Sequence, residues 1–242
     1  MRTVNGSYTV STAGAVVEDL RIKGDLIINA ANVTVRRVEV IDGSIDNFRG
    51  PKCFNGLVIK DSTVRAVGPT SDQDIPAVGA GGYSADNVLI DGASEGFRVG
   101  GRSVGCGAVT IANSYAYIAS PDSCTDWHGD GIQGYDGSAL TVRTTVLVLD
   151  EKSGCGGTAP FFYPHDQGNT SADIAGLVVE GGGYPFRLTM PGKVQGLNIV
   201  QGWGYGPMEV RCSLISTWSA QIVTLNSAGQ PVPVRTQPCT GG

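Results

Sequence analysis

The sequence predicts an all-β protein with the architecture of a single-stranded parallel β-helix, a solenoid in which short strands stack once per turn. The first observation behind this prediction is a phrase that recurs along the chain. Each copy has a small residue, a proline or an aromatic residue, then a large apolar residue, then a polar one. The copies lie at residues 96–99, 131–134, 161–164, 185–188 and 207–210.

The spacing of these copies is the second observation. Their large apolar residues are predicted to face inward, and they are Phe97, Ile132, Phe162, Phe186 and Met208. Consecutive members are 22 to 35 residues apart, and another apolar run precedes each copy. Periods of this size without a helical pattern indicate stacked strand repeats.

Composition is the third observation. Glycine contributes 36 of the 242 residues and aromatic residues only 7%, which suits tight corners around a narrow interior. The net charge of −5 argues against nucleic acid as a partner, because phosphate binding requires a basic face. Since no apolar run approaches the roughly 18 residues of a membrane span, we do not expect a membrane as a partner either.

We expect one β-helix domain over residues 1–242, with N-terminal coils at 1–67 and a closing segment at 213–242. Insertion loops are predicted at residues 68–84, 117–129 and 150–159. The last two interrupt consecutive coils on one side of the solenoid. Insertions concentrated on one face of a repeat protein usually mark its binding face.

The six cysteines include no CxxC pair, which favours disulfides in a secreted or extracellular protein over a metal or redox site. Cys124 and Cys155 occupy equivalent loops of consecutive coils. Their α-carbons can therefore approach the ~5.5 Å that a disulfide needs. The other predicted pairs are Cys212–Cys239, which ties the tail to the last coil, and, by elimination, Cys53–Cys106.

Two columns of side chains on one predicted sheet form the candidate site. Because side chains alternate between the faces of a strand, inward residues at 132, 162, 186 and 208 leave their neighbours facing outward. The first outward column is predicted as Gln133, Tyr163, Arg187 and Glu209, and the second as Tyr135, His165, Thr189 and Arg211. Outward columns are usually plain solvated surface. Here both histidines of the chain fall at this sheet, which predicts acid–base chemistry.

The segment around the first histidine packs three polar groups around a tight turn. Asp126, His128 and Asp130 are candidates for substrate binding or chemistry, while turn formation is the alternative, since Asp and Gly favour such bends. Asp130 has the further alternative of capping the corner of a coil. Trp127 is either a stacking platform for a sugar ring or a cover over a glycine-rich corner.

The segment around the second histidine is the stronger candidate. Pro164 fixes the backbone angle between Tyr163 and His165, and Asp166 is placed to orient an imidazole. A surface arginine is the plain interpretation of Arg187, but its predicted neighbour is Tyr163.

Two of these motifs resemble known families. The phrase Asp130-Gly131-Ile132-Gln133 after His128, set among repeated Val-x-Ile strands, resembles the secreted right-handed β-helix proteins of the pectate-lyase-like superfamily. The segment Tyr163-Pro164-His165-Asp166-Gln167 resembles the Tyr…Asp-Pro-His-Glu-Gln site of alginate C5-epimerases. In that family the Tyr and His exchange protons with C5 of the uronate. Tyr163 stands where the family has Asp.

The resemblance and the columns together predict a right-handed β-helix that cleaves a uronate-containing polysaccharide by β-elimination. Arg187 with Gln133 would neutralise the substrate carboxylate, His165 would abstract the C5 proton, and Tyr163 would protonate the leaving oxygen. The catalytic candidates are His165, Tyr163, Arg187 and His128. The substrate-binding candidates are Gln133, Asp126, Asp130, Trp127, Tyr135, Asp166 and Arg211. Asp126, His128 and Asp130 would bind the neighbouring sugar or a Ca²⁺ ion, which is common in that superfamily.

Other functions remain open at this point. The same groups suit C5 epimerisation, and two carboxyl groups ~5–9 Å apart across the groove would suit hydrolysis. A noncatalytic adhesin, carbohydrate-binding module or assembly part is a further alternative, because the fold alone does not determine function. We expect a monomer that binds an acidic polysaccharide.

Overall fold

The computed structural model describes residues 1–68, 70, 75–152 and 155–240. Strands dominate it. Helical structure in these ranges is limited to three one-turn 3₁₀ helices, Arg102–Val104, His165–Gln167 and Cys212–Leu214. Among the described residues, no helix has the length and apolar character that a membrane crossing would require.

The larger of two long sheets, here named sheet A, has 14 strands among the described residues. Its strands pair in parallel with the equivalent strand of the next repeat, except at the C-terminal end, where β24 and β25 are antiparallel. The strands are β1 (Arg2–Asn5), β3 (Val16–Glu18), β4 (Leu20–Lys23), β6 (Thr34–Arg36), β7 (Glu39–Ile41), β11 (Leu57–Arg65), β13 (Tyr83–Ala93), β15 (Val109–Ala112), β16 (Tyr115–Ala119), β18 (Leu140–Asp150), β20 (Ala172–Gly181), β22 (Gly192–Val200), β24 (Ile215–Leu225) and β25 (Pro231–Thr236).

The second long sheet, sheet B, has nine strands in the described part of the chain, and each pairs in parallel with the next in sequence. They are β2 (Tyr8–Val10), β5 (Leu26–Ile28), β8 (Ile45–Asp46), β12 (Val78–Gly79), β14 (Phe97–Gly100), β17 (Asp130–Tyr135), β19 (Ala159–Tyr163), β21 (Phe186–Leu188) and β23 (Met208–Val210). A small antiparallel pair, β9 (Phe48–Arg49) and β10 (Lys52–Cys53), stands apart. The fold is therefore all-β with long, mostly parallel sheets, as a β-helix solenoid would have.

The core lies on the inward face of sheet B, against sheet A. One inward column of sheet B is fully buried and apolar over seven consecutive strands: Leu26, Ile45, Val78, Phe97, Ile132, Phe161 and Phe186. Strands in such a sheet lie about 4.8 Å apart, and the rings of Phe161 and Phe186 stack with centroids 4.8 Å apart. Each added repeat thus buries the apolar surface of the previous one.

The chain bends at one residue per repeat where it runs along sheet A. The bend residues have a positive φ, the left-handed region that Asn and Asp tolerate better than most residues. They are Asp61, Asn87, Asn113, Thr144, Gly176 and Gly196, with φ of 45° to 70°. Asn87 Nδ2 donates to Asp61 Oδ1 at 2.6 Å, so the corners of adjacent repeats also bond to each other.

The three predicted disulfides are confirmed. The Cα–Cα distances are 5.3 Å for Cys53–Cys106, 5.4 Å for Cys124–Cys155 and 5.7 Å for Cys212–Cys239. Three disulfides indicate an oxidising environment. The second one joins the two loops that interrupt consecutive repeats.

Two predicted loop boundaries are wrong. The segment predicted as loop 68–84 contains β12, whose Val78 is fully buried in the core, and the loop predicted at 117–129 begins only after β16 ends at Ala119. Strand β12 has only two residues in a glycine-rich context, so it leaves no alternation pattern to read. Residues 69, 71–74, 153–154 and 241–242, which belong to predicted loops and to the closing segment, lie outside the described residues.

The predicted register is wrong by one residue at β19. Ile132 pairs with Phe161 rather than with Phe162. Phe161 and Tyr163 are consequently buried, and Phe162 faces outward. Three aromatic residues follow one another here, so alternation of apolar and polar residues does not distinguish the two registers.

Candidate functional site

One outward column of sheet B forms the floor of a groove. Parallel pairing places Arg98, Gln133, Phe162, Arg187 and Glu209 side by side on consecutive strands. Neighbouring members are therefore about 4.8 Å apart. The groove above them has a volume of about 570 Å³ and is lined by Arg98, His128, Gln133, Tyr135, Thr158, Phe162, Gln167 and Arg187.

Arg187 is held in place from two sides. Its guanidinium carbon lies 4.7 Å from the centroid of the Phe162 ring, and its Nε donates to a carboxylate oxygen of Glu209. The Arg187 side chain is 28% exposed. A guanidinium stacked on an aromatic face and fixed by one carboxylate keeps further N–H donors for a ligand in the groove. Arg187 thus suits the predicted role of binding a substrate carboxylate.

Arg98 occupies the same column three strands earlier, and a buried carboxylate beneath the groove floor holds its guanidinium group. Its Nη2 lies 2.7 Å and 2.9 Å from the two carboxylate oxygens of Glu95. The Glu95 side chain is only 2% exposed, whereas that of Arg98 is 19% exposed and lines the groove. The pair therefore places a rigid positive group at the groove floor, with its counter-charge beneath it.

Asp130 does not face the groove as predicted. It is fully buried, and its Oδ1 accepts a hydrogen bond from the Ala159 backbone N–H at 3.0 Å. Burial, followed by the nearby charge of Glu95, raises the pKa of the Asp130 carboxyl well above its ordinary range. Asp130 Oδ2 and Gln133 Oε1 are buried without a hydrogen-bond partner among the described residues. A protonated carboxyl suits this setting, because it turns one of two unpaired acceptors into a donor. Asp130 supports the groove floor from inside the protein.

Burial of Asp130 predicts a pH-dependent stability. A group whose folded-state pKa is raised contributes stability that is complete below its unfolded pKa and is lost as the pH rises through the folded pKa. The free energy of unfolding should therefore fall with rising pH in the wild type relative to Asp130→Asn, which cannot ionise. Urea unfolding from about pH 4 to pH 8 measures this difference. Asp126→Asn is the control, since the Asp126 side chain is 90% exposed; a difference between wild type and Asp130→Asn that is constant with pH would contradict the prediction.

Trp127 is an anchor rather than a stacking platform. It is 4% exposed, and its Nε1 donates to the Ser94 carbonyl at 2.9 Å. A Cβ on Gly129 would lie 2.0 Å from the indole ring, so this glycine is what lets the ring fold under the loop. The buried indole fixes the backbone next to His128, and the Cys124–Cys155 disulfide ties the same loop to the following repeat.

His128 stands at the edge of the groove. Its side chain is 52% exposed and lines the groove, and its Nε2 lies 3.6 Å from Asp126 Oδ1. Asp126 is itself solvent-exposed, so it provides the imidazole with a nearby carboxylate without entering the groove. His128 is the one imidazole among the described lining residues, which makes it the candidate base.

Tyr163 is a core residue, and its predicted role as the acid of the groove is wrong. It is fully buried, and its hydroxyl donates to the Ser138 carbonyl. A Cβ on Gly134 would lie 2.3 Å from the Tyr163 ring, and one on Gly137 would lie 2.5 Å from its hydroxyl oxygen. The two glycines open the inward space that the ring fills. Burial raises the pKa of the Tyr163 phenol above its ordinary value.

His165 is not brought to the groove. The chain leaves β19 at Pro164 and enters the 3₁₀ helix His165–Gln167. The His165 backbone N–H donates to Thr189 Oγ1 at 2.8 Å, while its side chain is exposed and does not line the groove. The second predicted outward column therefore has Pro164 beside Tyr135, where His165 was predicted, and the strand ends there. Gln167, at the end of the same helix, lines the groove instead.

Some of the other predicted residues line the groove and some do not. Gln133 and Tyr135 line the groove, and Tyr135 is 60% exposed. Asp166 and Arg211 are exposed but do not belong to the lining. Four residues line it without having been predicted as site residues: Arg98, Thr158, Phe162 and Gln167. Correct pairing of Ile132 with Phe161 would have identified Phe162, since it then occupies the outward position between Gln133 and Arg187.

The predicted calcium ligands do not form a metal site. Asp126 is solvent-exposed and Asp130 is buried beneath the groove, so their carboxylates face different surroundings. No group of three or more His, Cys, Asp or Glu side chains in the described ranges is arranged to hold a metal ion.

Comparison of the chain with protein-family models, with curated proteins and with solved structures finds no match in any of the three.

Proposed function

We propose that the chain is a right-handed parallel β-helix similar to the pectate-lyase-like proteins, and that it acts outside the cell as a polysaccharide lyase. Its substrate is a uronate-containing glycan bound in the groove of sheet B and cleaved by β-elimination. The three disulfides support an extracellular location. The long, mostly parallel sheets support the architecture.

The composition of the groove lining is the observation that carries the proposed reaction. The described lining has two guanidinium groups, one imidazole, one phenol and two amides, and no carboxyl group. Glu209, the next residue of the same column, lies outside this lining, and its carboxylate is paired with Arg187. Hydrolysis of a glycoside commonly uses two carboxyl groups facing the scissile bond. Elimination from a uronate instead needs a cation for the carboxylate, a base and an acid, and this lining holds all three.

Each step of the elimination then has a residue. Arg187 and Gln133 bind the uronate carboxylate and stabilise the charge that develops on it as C5 loses its proton. His128 accepts the C5 proton. The electron pair of the C5–H bond forms the C4=C5 double bond, the C4–O4 bond breaks, and the Tyr135 hydroxyl donates its proton to the departing O4. The products are an unsaturated uronate and a new sugar end.

Incubation with a panel of acidic and neutral polysaccharides tests the proposal. The wild type should generate the ultraviolet absorbance of an unsaturated uronate from at least one polyuronate and from no neutral glycan. Binding without absorbance or new reducing ends would make the chain either a C5 epimerase, if the bound polyuronate exchanges its C5 hydrogen with solvent, or a noncatalytic carbohydrate-binding protein, if it does not. New reducing ends without absorbance would make it a hydrolase. Any of these results would refute the lyase proposal.

The Arg187→Ala variant gives a matched second test. Its kcat/KM on the cleaved polyuronate should fall by about 10²–10³-fold, because the carboxylate loses its main electrostatic partner. Arg21→Ala is the control, since Arg21 forms a similar ion pair with Glu39 on sheet A, at 2.6 Å, away from the groove. Equal effects of the two substitutions would contradict the role of Arg187.

A further inference from the structure

Two consecutive strands of sheet B carry the same four-residue pattern: an acidic residue, a glycine, an apolar residue and a polar residue. The pattern occupies residues 95–98, which lead into β14, and residues 130–133 at the start of β17. Arg98 pairs with Gln133 in the parallel register, so the two acids, Glu95 and Asp130, also stand side by side. A contact made in the first segment therefore predicts the corresponding contact in the second.

In the first segment, the buried acid bonds the outward polar residue three positions later. Glu95, whose side chain is 2% exposed, accepts hydrogen bonds from the Arg98 guanidinium. The equivalent pair in the second segment is Asp130 and Gln133, and these two side chains are within hydrogen-bonding reach of each other. The second pair differs from the first in one respect, because its outward member carries no charge.

The two buried carboxyl groups have one cation between them. In the part of the chain that the structure describes, the charged side chains acting on Asp130 are Glu95 and Arg98, and Arg98 already bonds Glu95. The Ala159 N–H on β19 adds one neutral donor, and Asp130 is completely buried. A second buried carboxylate without a cation of its own is costly, and binding a proton avoids that cost. Asp130 is therefore the neutral member of the two acids.

The hydrogen bonds around Asp130 determine which of its oxygens holds the proton. Oδ1 accepts from the Ala159 N–H at 3.0 Å, so Oδ2 carries the O–H. Oδ2 and Gln133 Oε1 are both buried and have no other partner among the described residues. One hydrogen bond from the Asp130 hydroxyl to Gln133 Oε1 satisfies both atoms. The NH₂ end of the Gln133 amide is then the end that faces the groove.

We propose that Asp130 is a positioning residue, whose protonated carboxyl donates to Gln133 Oε1 and so presents the Gln133 N–H groups to a substrate carboxylate in the groove. This inference rests on the proposed function. An ionised Asp130 would accept hydrogen bonds only, so the amide would turn over to donate to it, and Gln133 Oε1 would face the substrate carboxylate instead. Two acceptors facing each other repel. The groove therefore binds a uronate more tightly while the acid beneath its floor is protonated.

Carbon-13 NMR of the ligand-free full chain, labelled at aspartate, tests the protonation of Asp130. At about pH 6 an ordinary aspartate is ionised, and Asp126, whose side chain is 90% exposed, should have the carboxyl chemical shift of a carboxylate. Asp130 should have the shift of a protonated acid. Asp130→Asn and Asp126→Asn identify the two signals. An ionised Asp130 at this pH would overturn the inference, while the lyase proposal would stand.

Calorimetric binding of polygalacturonate and of alginate at about pH 6 tests the action of Asp130 through Gln133. Asp130→Asn should bind as tightly as the wild type, because its amide N–H replaces the acid O–H as the donor. Asp130→Ala has no donor and should bind about tenfold more weakly. In a Gln133→Ala background the same substitution should cause no further loss. An equal loss in both backgrounds would show a structural role only and would overturn the inference.

The pH profile of binding is a readout that a structural role does not move, and it does not depend on the folding of Asp130→Ala. As the pH rises through the value at which NMR shows Asp130 to ionise, the wild type should lose affinity relative to Asp130→Asn. His128 is present in both proteins, so its own titration cancels. An affinity ratio that changes without the NMR signal, or stays constant while that signal changes, would overturn the inference. If the wild type bound neither polymer, the proposed substrate class would be contradicted, and the NMR result alone would decide the protonation of Asp130.

Discussion

Replacing His128 with alanine should lower kcat for elimination by about 10²–10⁴-fold, the usual contribution of a positioned general base. His128 lines the groove beside the guanidinium groups that are proposed to bind the uronate, and its position there is fixed by the buried Trp127 and by the Cys124–Cys155 disulfide. The half-exposed imidazole contributes no core contact. The variant should therefore unfold at the same urea concentration as the wild type.

His165→Ala is the matched control for this experiment, because the chain has only two histidines. The His165 side chain is exposed and does not line the groove, so its removal should leave kcat close to that of the wild type. Single-turnover measurements on the cleaved polyuronate separate chemistry from product release for both variants. Full activity in His128→Ala with loss of activity in His165→Ala would reverse the assignment and restore the site predicted from the resemblance to the epimerases.

Much of the fold follows from sequence because it depends on periodicity and on pairing. The recurring phrase identified five strands of sheet B, β14 to β23, and the two loops equivalent in consecutive repeats identified the Cys124–Cys155 pair. A disulfide tolerates a register error of one residue, since the loops still lie side by side. β12 was missed because a two-residue strand has no periodicity of its own.

The candidate site was harder to predict, because facing direction changes with every residue along a strand. A slip of one position at β19 exchanged Phe162 for Tyr163 in the outward column. The signal that resolves it lies on the neighbouring strand, where Gly134 stands at a position occupied by Val99 and Leu188 in other repeats. A missing side chain inside one repeat makes room for a larger one in the next.

Burial decides between the two alternatives that the sequence leaves open for Asp130 and for Trp127. Asp130 accepts from a backbone N–H, and Trp127 is buried against Gly129, as the structural alternative expects in each case. Asp130 and Trp127 belong to residue types that also serve in polysaccharide sites, and composition cannot tell a buried copy from an exposed one. Their partners, the Ala159 N–H and the Ser94 carbonyl, are backbone groups 29 and 33 residues away in sequence. Only three-dimensional placement reveals such partners.

Replacing Tyr163 should reduce stability and leave the chemistry intact. In Tyr163→Phe the Ser138 carbonyl loses its buried donor, which should lower the free energy of unfolding by about 1–3 kcal/mol. Tyr163→Ala also leaves a cavity above Gly134 and Gly137, so the decrease should reach about 3–5 kcal/mol. Urea denaturation measures both values, and kcat per folded molecule of Tyr163→Phe should match the wild type.

Tyr135→Phe should show the opposite pattern to Tyr163→Phe, with unchanged stability and a lower kcat. The Tyr135 side chain is 60% exposed and lines the groove, so loss of its hydroxyl should not change the free energy of unfolding. Because the proposed acid is then missing, kcat should fall by about 10²-fold or more. If Tyr163→Phe were as stable as the wild type but inactive, the buried ring would have to reach the groove during turnover, and the assignment of the acid to Tyr135 would be wrong.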